Sequence, residues 1–137
     1  MNCFGCRLAN QLEEVNVVFE NDFITCILDI EPLNEGHVLI LPKTHVKELD
    51  EIDELTMKSI IDGSILVSRA LKKIYNPDGI SIMQNGGIFN DLDHYHMHVF
   101  PRYKDDGFGW LEPNHQSNTD LEHVKAKIID ELSHVEK

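Results

Sequence analysis

Positive charge is scarce in this sequence: 12 lysines and arginines face 24 aspartates and glutamates, a formal net charge of −12. A polyanionic duplex is gripped by basic side chains that neutralise its phosphates, so nucleic acid is not an expected partner. Cysteine is sparse too. Three cysteines leave one over in any disulfide scheme, which points to metal binding or packing in a reducing compartment. No apolar run approaches a membrane span, and the opening "MNCFGCRLANQLEE" lacks the basic start and continuous apolar stretch of a signal peptide. A cytoplasmic protein without membrane association is the expectation. Repeats, low-complexity tracts and Pro/Gly/Ser-rich linkers are also missing, so the 137 residues, 42% hydrophobic, read as one domain with one core.

What is present alternates in two periods. The β-branched and aromatic runs "VNVVFE" (15–20) and "FITCIL" (23–28), separated by "ND", predict a tight hairpin. "GHVLILP" (36–42) and "GISIMQN" (79–85) predict two more strands, and "HYHMHVFPR" (94–102) a fifth, ended by Pro101. Between the third and fourth, Leu55, Ile60, Ile61, Ile65, Val67, Leu71 and Ile74 recur at helical spacing until Asn76 and Pro77 stop them. Leu121, Val124, Ile128, Leu132 and Val135 form a second stripe behind a capping box of Thr119 and Glu122, and a short helix is expected after Cys6. The order predicts an α+β domain: a five-stranded, mainly antiparallel sheet with a long helix and a C-terminal helix.

Within "DHYHMHVFPRY" (93–103), three histidines occupy alternate positions. On a strand, His94, His96 and His98 share one face and Tyr95, Met97 and Val99 the other. At a rise of about 3.3 Å per residue, His94 and His98 lie roughly 13 Å apart at their α-carbons, too far for all three to meet one zinc without strain. The row is expected to divide its labour. At one end, the C-x-x-C pair Cys3 and Cys6 suits a metal, with His45 of "PKTH" and His94 as candidates to complete a tetrahedral site; otherwise the pair sits on a frayed terminus and His45 caps a helix. Cys26 reads as core. At the other end, His96 and His98, with His37 if its strand pairs beside them, can attack phosphorus and protonate a leaving group. The plainer alternative is a solvated strand face.

The run His94-Tyr95-His96-Met97-His98-Val99-Phe100 resembles the signature of the histidine triad family of nucleotide hydrolases and transferases, in its zinc-containing bacterial branch. "LDIEPLNEGHVLILPKTHV" (28–46) resembles the family's other common block, and "MQNGG" stands where the family has an Asn-Gly loop, so the likeness covers roughly residues 3–103, with an extension and helix over 104–137. It implies that His96 forms a covalent nucleotidyl-histidine at the α-phosphorus. It further implies that His98 contacts phosphate and leaving group, with His37 packed against it. Asp29 would meet the ribose hydroxyls, Ile27, Leu28 and Ile30 the base, and Asn85 the ribose and phosphate. Structural zinc on Cys3, Cys6, His45 and His94 follows from the same resemblance, as does a homodimer whose sheets join edge to edge.

The sequence departs from the family where a "GQSV"-like loop usually precedes the triad. "GIFNDLDH" puts Asn90 and Asp91 there, in a loop about two residues shorter. Asn90 can donate to phosphate; an ionised Asp91 beside phosphate repels it unless it points away, pairs, or binds a divalent ion. The leading expectation is an enzyme cleaving at the α-phosphate of a nucleoside phosphoramidate or dinucleoside polyphosphate. The alternatives are a nucleotide-binding regulatory module without turnover, and a zinc-dependent hydrolase with metal on the triad. "FGWLEPNHQ", with Trp110 and His115, reads as a surface loop or as a strap reaching a neighbouring pocket.

Overall fold

The computed structural model describes residues 2–113 and 119–135. Helix α1 (Phe4–Ala9) precedes β1 (Val17–Glu20), β2 (Ile24–Leu28) and β3 (Val38–Pro42); the long helix α2 (Glu54–Tyr75), β4 (Gly79–Met83), β5 (Met97–Arg102) and α3 (Leu121–Leu132) follow. The strand order is β1-β2-β3-β5-β4, with every neighbouring pair antiparallel. No helix among the described residues is long and apolar enough to cross a membrane.

Period-two alternation builds the two faces of the sheet. Ile24 and Cys26 of β2, Val38 and Ile40 of β3, and Met97 and Val99 of β5 turn one way, joined by Tyr95, and meet Ile60, Val67 and Leu71 of α2. Ile27, Leu39 and Leu41 turn the other way, where Ala9 of α1 closes a smaller cluster with Leu8, Val15, Val17 and Leu92. The first face is the main core; the second carries a cleft. Helix α1 is fastened over it by Thr25 Oγ1, which donates to the Ala9 carbonyl at 2.5 Å, and by the Asn10 amide, which donates to the carbonyls of Cys6 (2.9 Å) and Lys43 (3.0 Å).

Local signals explain most element ends. Asn21 Oδ1 accepts from the amides of Phe23 and Ile24 and so makes the β1–β2 hairpin tight. Asp53 caps α2 by accepting from Thr56 N, and Asn76 ends it in the left-handed region at φ 46° before Pro77. Besides the first three strands, which start one or two residues later than expected, four boundaries differ from the sequence expectation. Cys6 lies inside α1, whose N-cap is Cys3. Asp120, not Thr119, caps α3, accepting from the amides of Glu122 and His123, because a carboxylate one residue closer reaches both. The fourth strand stops at Met83, leaving Gln84 and Asn85 beyond it. The fifth begins only at Met97 and runs through Pro101, since proline at a strand end forgoes a single ladder bond. His94 and His96 therefore sit in the segment leading into β5, not in the strand. Asp93 at φ 53° turns the chain into that segment.

Candidate active site and metal centre

Hydrogen bonds to the main chain and between rings fix where these histidines carry hydrogen. The His94 carbonyl accepts from His96 Nδ1 at 2.9 Å, so Nδ1 carries a hydrogen and Nε2 is the ring nitrogen left free of the main chain. Leu33 N donates to His37 Nδ1 at 3.0 Å, so His37 carries its hydrogen on Nε2 and donates it to His98 Nδ1 at 2.9 Å. His98 in turn keeps its hydrogen on Nε2. His96 Nε2 and His98 Nε2 are thus the ring nitrogens left outside these bonds, the two ring centroids 4.9 Å apart. His37 is buried at 2% exposure and stacks at 4.8 Å on Phe100. Burial lowers its pKa against the opposing pull of Asp29, and burial with the neighbouring His96 and His37 drives that of His98 down to about 4. Both rings are neutral donors at neutral pH.

His96 and His98 open on a cavity of about 320 Å³. Its apolar wall includes Ile27, Leu28, Ile30 and Leu39 from the strands and Phe4 and Leu8 from α1; its polar rim holds Glu13, Glu14, Asp29 and Asp91. Asp29 Oδ1 accepts from Glu31 N at 2.9 Å and Oδ2 lies 3.6 Å from His37 Nε2. Asp91 Oδ1 stands 3.2 Å from His96 Nε2. Alternation would part Ile27 from Leu28, yet both reach this cavity, Ile27 from within the cluster and Leu28 from the strand's exposed end.

Two of the expected nucleotide contacts lie elsewhere. Asn85 lines a second cavity beside β4 with Arg102, Phe108 and Trp110. Asn90 spends its amide on the chain: Nδ2 donates to the carbonyls of Lys47 and His94, both at 3.3 Å, and Oδ1 accepts from Leu92 N. Lys43 pairs with Glu20, and Arg102 is locked on Asp106, so neither faces the histidines. His115 lies outside the described residues. The α1 side of the cleft, with Phe4, Leu8, Glu13 and Glu14, carries no sequence signal, because a short helix folded back over a sheet face leaves no spacing rule.

The first triad histidine belongs to a different group. One ligand atom each from Cys3, Cys6, His45 and His94 gather within 4.8 Å of one another. Cys6 Sγ is 3.2 Å from His45 Nδ1 and 3.5 Å from His94 Nδ1, and Cys3 Sγ is 3.5 Å from His94 Nδ1. A tetrahedral zinc with bonds of about 2.3 Å to sulfur and about 2.05 Å to nitrogen sets its S···N edges at about 3.5 Å. The donor set fits. Pro42 O accepts from His94 Nε2 at 2.8 Å, which leaves the Nδ1 lone pair to the cluster, and burial holds the ring neutral. Burial and the adjoining Cys3 push the Cys6 thiol up to about 11, so a cation is needed to hold it as thiolate near neutral pH. Gly5 lets α1 approach: a Cβ there would collide with the His94 side chain.

An antiparallel sheet with an apolar cleft lined by two neighbouring imidazoles, His96 and His98, fits a protein of the histidine triad class. The chain belongs to the HIT domain family, whose model matches residues 11–105. The protein named "Protein hit" of Bacillus subtilis (strain 168) is 30% identical, across 96% of this chain and 95% of its own. A HIT family protein from Bacillus anthracis has a crystal structure that superposes with a TM-score of 0.86 at 25% identity, covering 98% of each chain. A Zn-bound histidine triad family protein from Mycobacterium smegmatis superposes at 0.72 and 25% identity, covering 99% of each. Family and architecture make this protein a HIT-family enzyme acting on phosphoanhydride or phosphoramidate bonds of nucleotides.

Proposed function

We propose that the protein cleaves at the α-phosphate of a nucleoside phosphoramidate or dinucleoside polyphosphate through a covalent nucleotidyl-histidine on His96. The single observation that carries this reading is the tautomer of His96: with Nδ1 donating to the His94 carbonyl, Nε2 presents an unshared pair at the cavity wall. That nitrogen bonds to phosphorus as the phosphorus to leaving-group bond breaks; the departing atom keeps the electron pair of that bond and takes a proton from solvent water, while His98 Nε2 donates a hydrogen bond to it and keeps its hydrogen. A second water then attacks the phosphorus, loses its proton to the hydroxide left by the first step, and releases the nucleoside monophosphate and free His96. His37 is a positioning residue that keeps the hydrogen of His98 on Nε2. Ile27, Leu28 and Ile30 suit a base and Asp29 the ribose hydroxyls; Asn85 and Asn90 reach such a ligand only after moving.

Zinc on Cys3, Cys6, His45 and His94 would tie the amino terminus to the approach of β5. Bound there, it supplies a rigid crosslink that fixes the carbonyl on which His96 leans. A homodimer, with β4 as the edge that meets its counterpart, and a cytoplasmic setting complete the proposal.

A second reading, a nucleotide-binding module without turnover, is favoured by one observation: the Asp91 carboxylate occupies the face of His96 that phosphorus must approach. Purified protein mixed with a fluorogenic adenosine phosphoramidate, and separately with diadenosine tetraphosphate, distinguishes the two. Turnover that His96→Ala abolishes while binding persists supports the enzyme. Tight binding with no turnover of either substrate by the parent protein supports the module.

A further inference from the structure

Phosphate sites are commonly built with arginine, lysine or a helix amino terminus. Among the described residues, this cavity is lined by neither arginine nor lysine, and four of its residues are carboxylates: Glu13, Glu14, Asp29 and Asp91. Glu13 is answered by Arg7, whose Nε donates to it at 2.8 Å. Asp29 is turned toward His37 and Glu31 N. Asp91 differs from both. It is 85% exposed at its side chain and makes its close contact, 3.2 Å, with the Nε2 atom proposed as nucleophile.

Every substrate of the proposed reaction brings one anionic α-phosphate to His96, so repulsion from Asp91 is common to all and selects nothing. Selection arises from the group beyond that phosphate. A pyrophosphate or nucleotide leaving group adds further negative charge to an acidic cleft; an amine adds none, and an amine with its own ammonium adds the opposite sign. With unit charges about 6 Å apart and an effective dielectric constant between about 20 and 80, each unit of charge on the leaving group is worth roughly three- to a hundredfold in rate or affinity.

We infer that Asp91 is a specificity-determining residue that turns the cleft toward nucleoside phosphoramidates whose leaving amine carries a second, positively charged group, and away from polyphosphates. This rests on the functional reading above. The neutrality of His98 and His37, imposed by burial, is consistent with it, since neither ring offsets the carboxylates.

The test compares three substrates with one nucleoside: the adenosine phosphoramidate of 1,4-diaminobutane, that of butylamine, and diadenosine tetraphosphate. For the parent protein, kcat/KM should be at least about threefold higher for the diamine than for butylamine, with the tetraphosphate slowest. Asp91→Asn should remove most of the diamine advantage and raise the tetraphosphate relative to butylamine. Raising ionic strength should compress the parent's ratios in the same direction. If the three substrates are cleaved but their ratios do not change in Asp91→Asn, or the diamine has no advantage, the inference is overturned and the reaction at His96 stands. If none is cleaved by the parent protein, both fall.

Discussion

His37 Nε2 lies 2.9 Å from His98 Nδ1, and the backbone amide of Leu33 at 3.0 Å on the far side of the His37 ring fixes which of the two donates. A main-chain group in the β2–β3 connection, five residues from either strand, thus sets the protonated atom of the histidine facing the cavity. His37→Phe keeps the ring's bulk and removes both nitrogens. The expected outcome is a kcat lower by about 10- to 100-fold, with KM little changed, and a loss of about 1 kcal/mol from the amide left without its acceptor. Steady-state kinetics and thermal melting check it; unchanged kcat would show that His98 needs no positioning partner.

The pKa of His98 fixes a pH dependence of stability. Its folded value of about 4 lies below the unfolded value near 6.5. Between these, the unfolded chain binds more protons, so stability rises with pH across that window. The contribution is fully present above about pH 6.5 and gone below about pH 4, at most about 3 kcal/mol. Denaturant midpoints for the parent and for His98→Gln from pH 4 to 7 check it. The slope should be shallower in the variant, and parallel curves would contradict the assignment.

Cys6→Ser should abolish tight zinc binding and lower the melting temperature by several degrees, because α1 loses its tie to His94. Gly5→Ala should act alike although it replaces no ligand, since its Cβ collides with the side chain of the ligand candidate His94. Metal content by mass spectrometry reads both. Chelation of the parent protein should reduce stability more than kcat; activity that vanishes with metal while the fold survives, and returns with it, would instead put the metal in the chemistry.

Asp106 accepts from Arg102 Nε at 2.7 Å and Nη2 at 3.0 Å, from the amides of Tyr103 and Phe108 at 3.1 Å, and from Asn34 Nδ2 at 3.0 Å. These bonds hold its carboxyl well below the usual range and pin the chain that leads to Trp110. Asp106→Ala should free that segment, seen as faster proteolysis between residues 103 and 111 and lower Trp110 fluorescence anisotropy. An unaltered cleavage pattern would mean that other contacts hold it.

Much of this architecture was legible in local pattern. Apolar alternation marked five strands, the i, i+3, i+4 stripe marked α2, and the C-x-x-C pair with His45 and His94 named four residues that the fold gathers. What was hidden depends on approach between distant elements. Gly5 matters because α1 lands on His94. Glu13 and Glu14 rim the cleft because the chain folds back after α1, and the Asp91–His96 contact exists because a short loop curls in front of the ring. Asn85 and Asn90 were placed by their offset from the triad, and offset does not reveal that the fourth strand ends early or that an amide is already engaged by Lys47 and His94. The late start of β5 was hidden for a related reason: histidines alternate in any extended chain, paired or not.

The account turns on the free pair of His96 Nε2. Mass spectrometry of a reaction with an adenosine phosphoramidate, quenched within the first turnover and digested, should find one adenylyl group on the peptide carrying His96, absent from His96→Ala and lost on longer incubation. Turnover with no adduct on that residue at any quench time, or an adduct on another side chain, would contradict it.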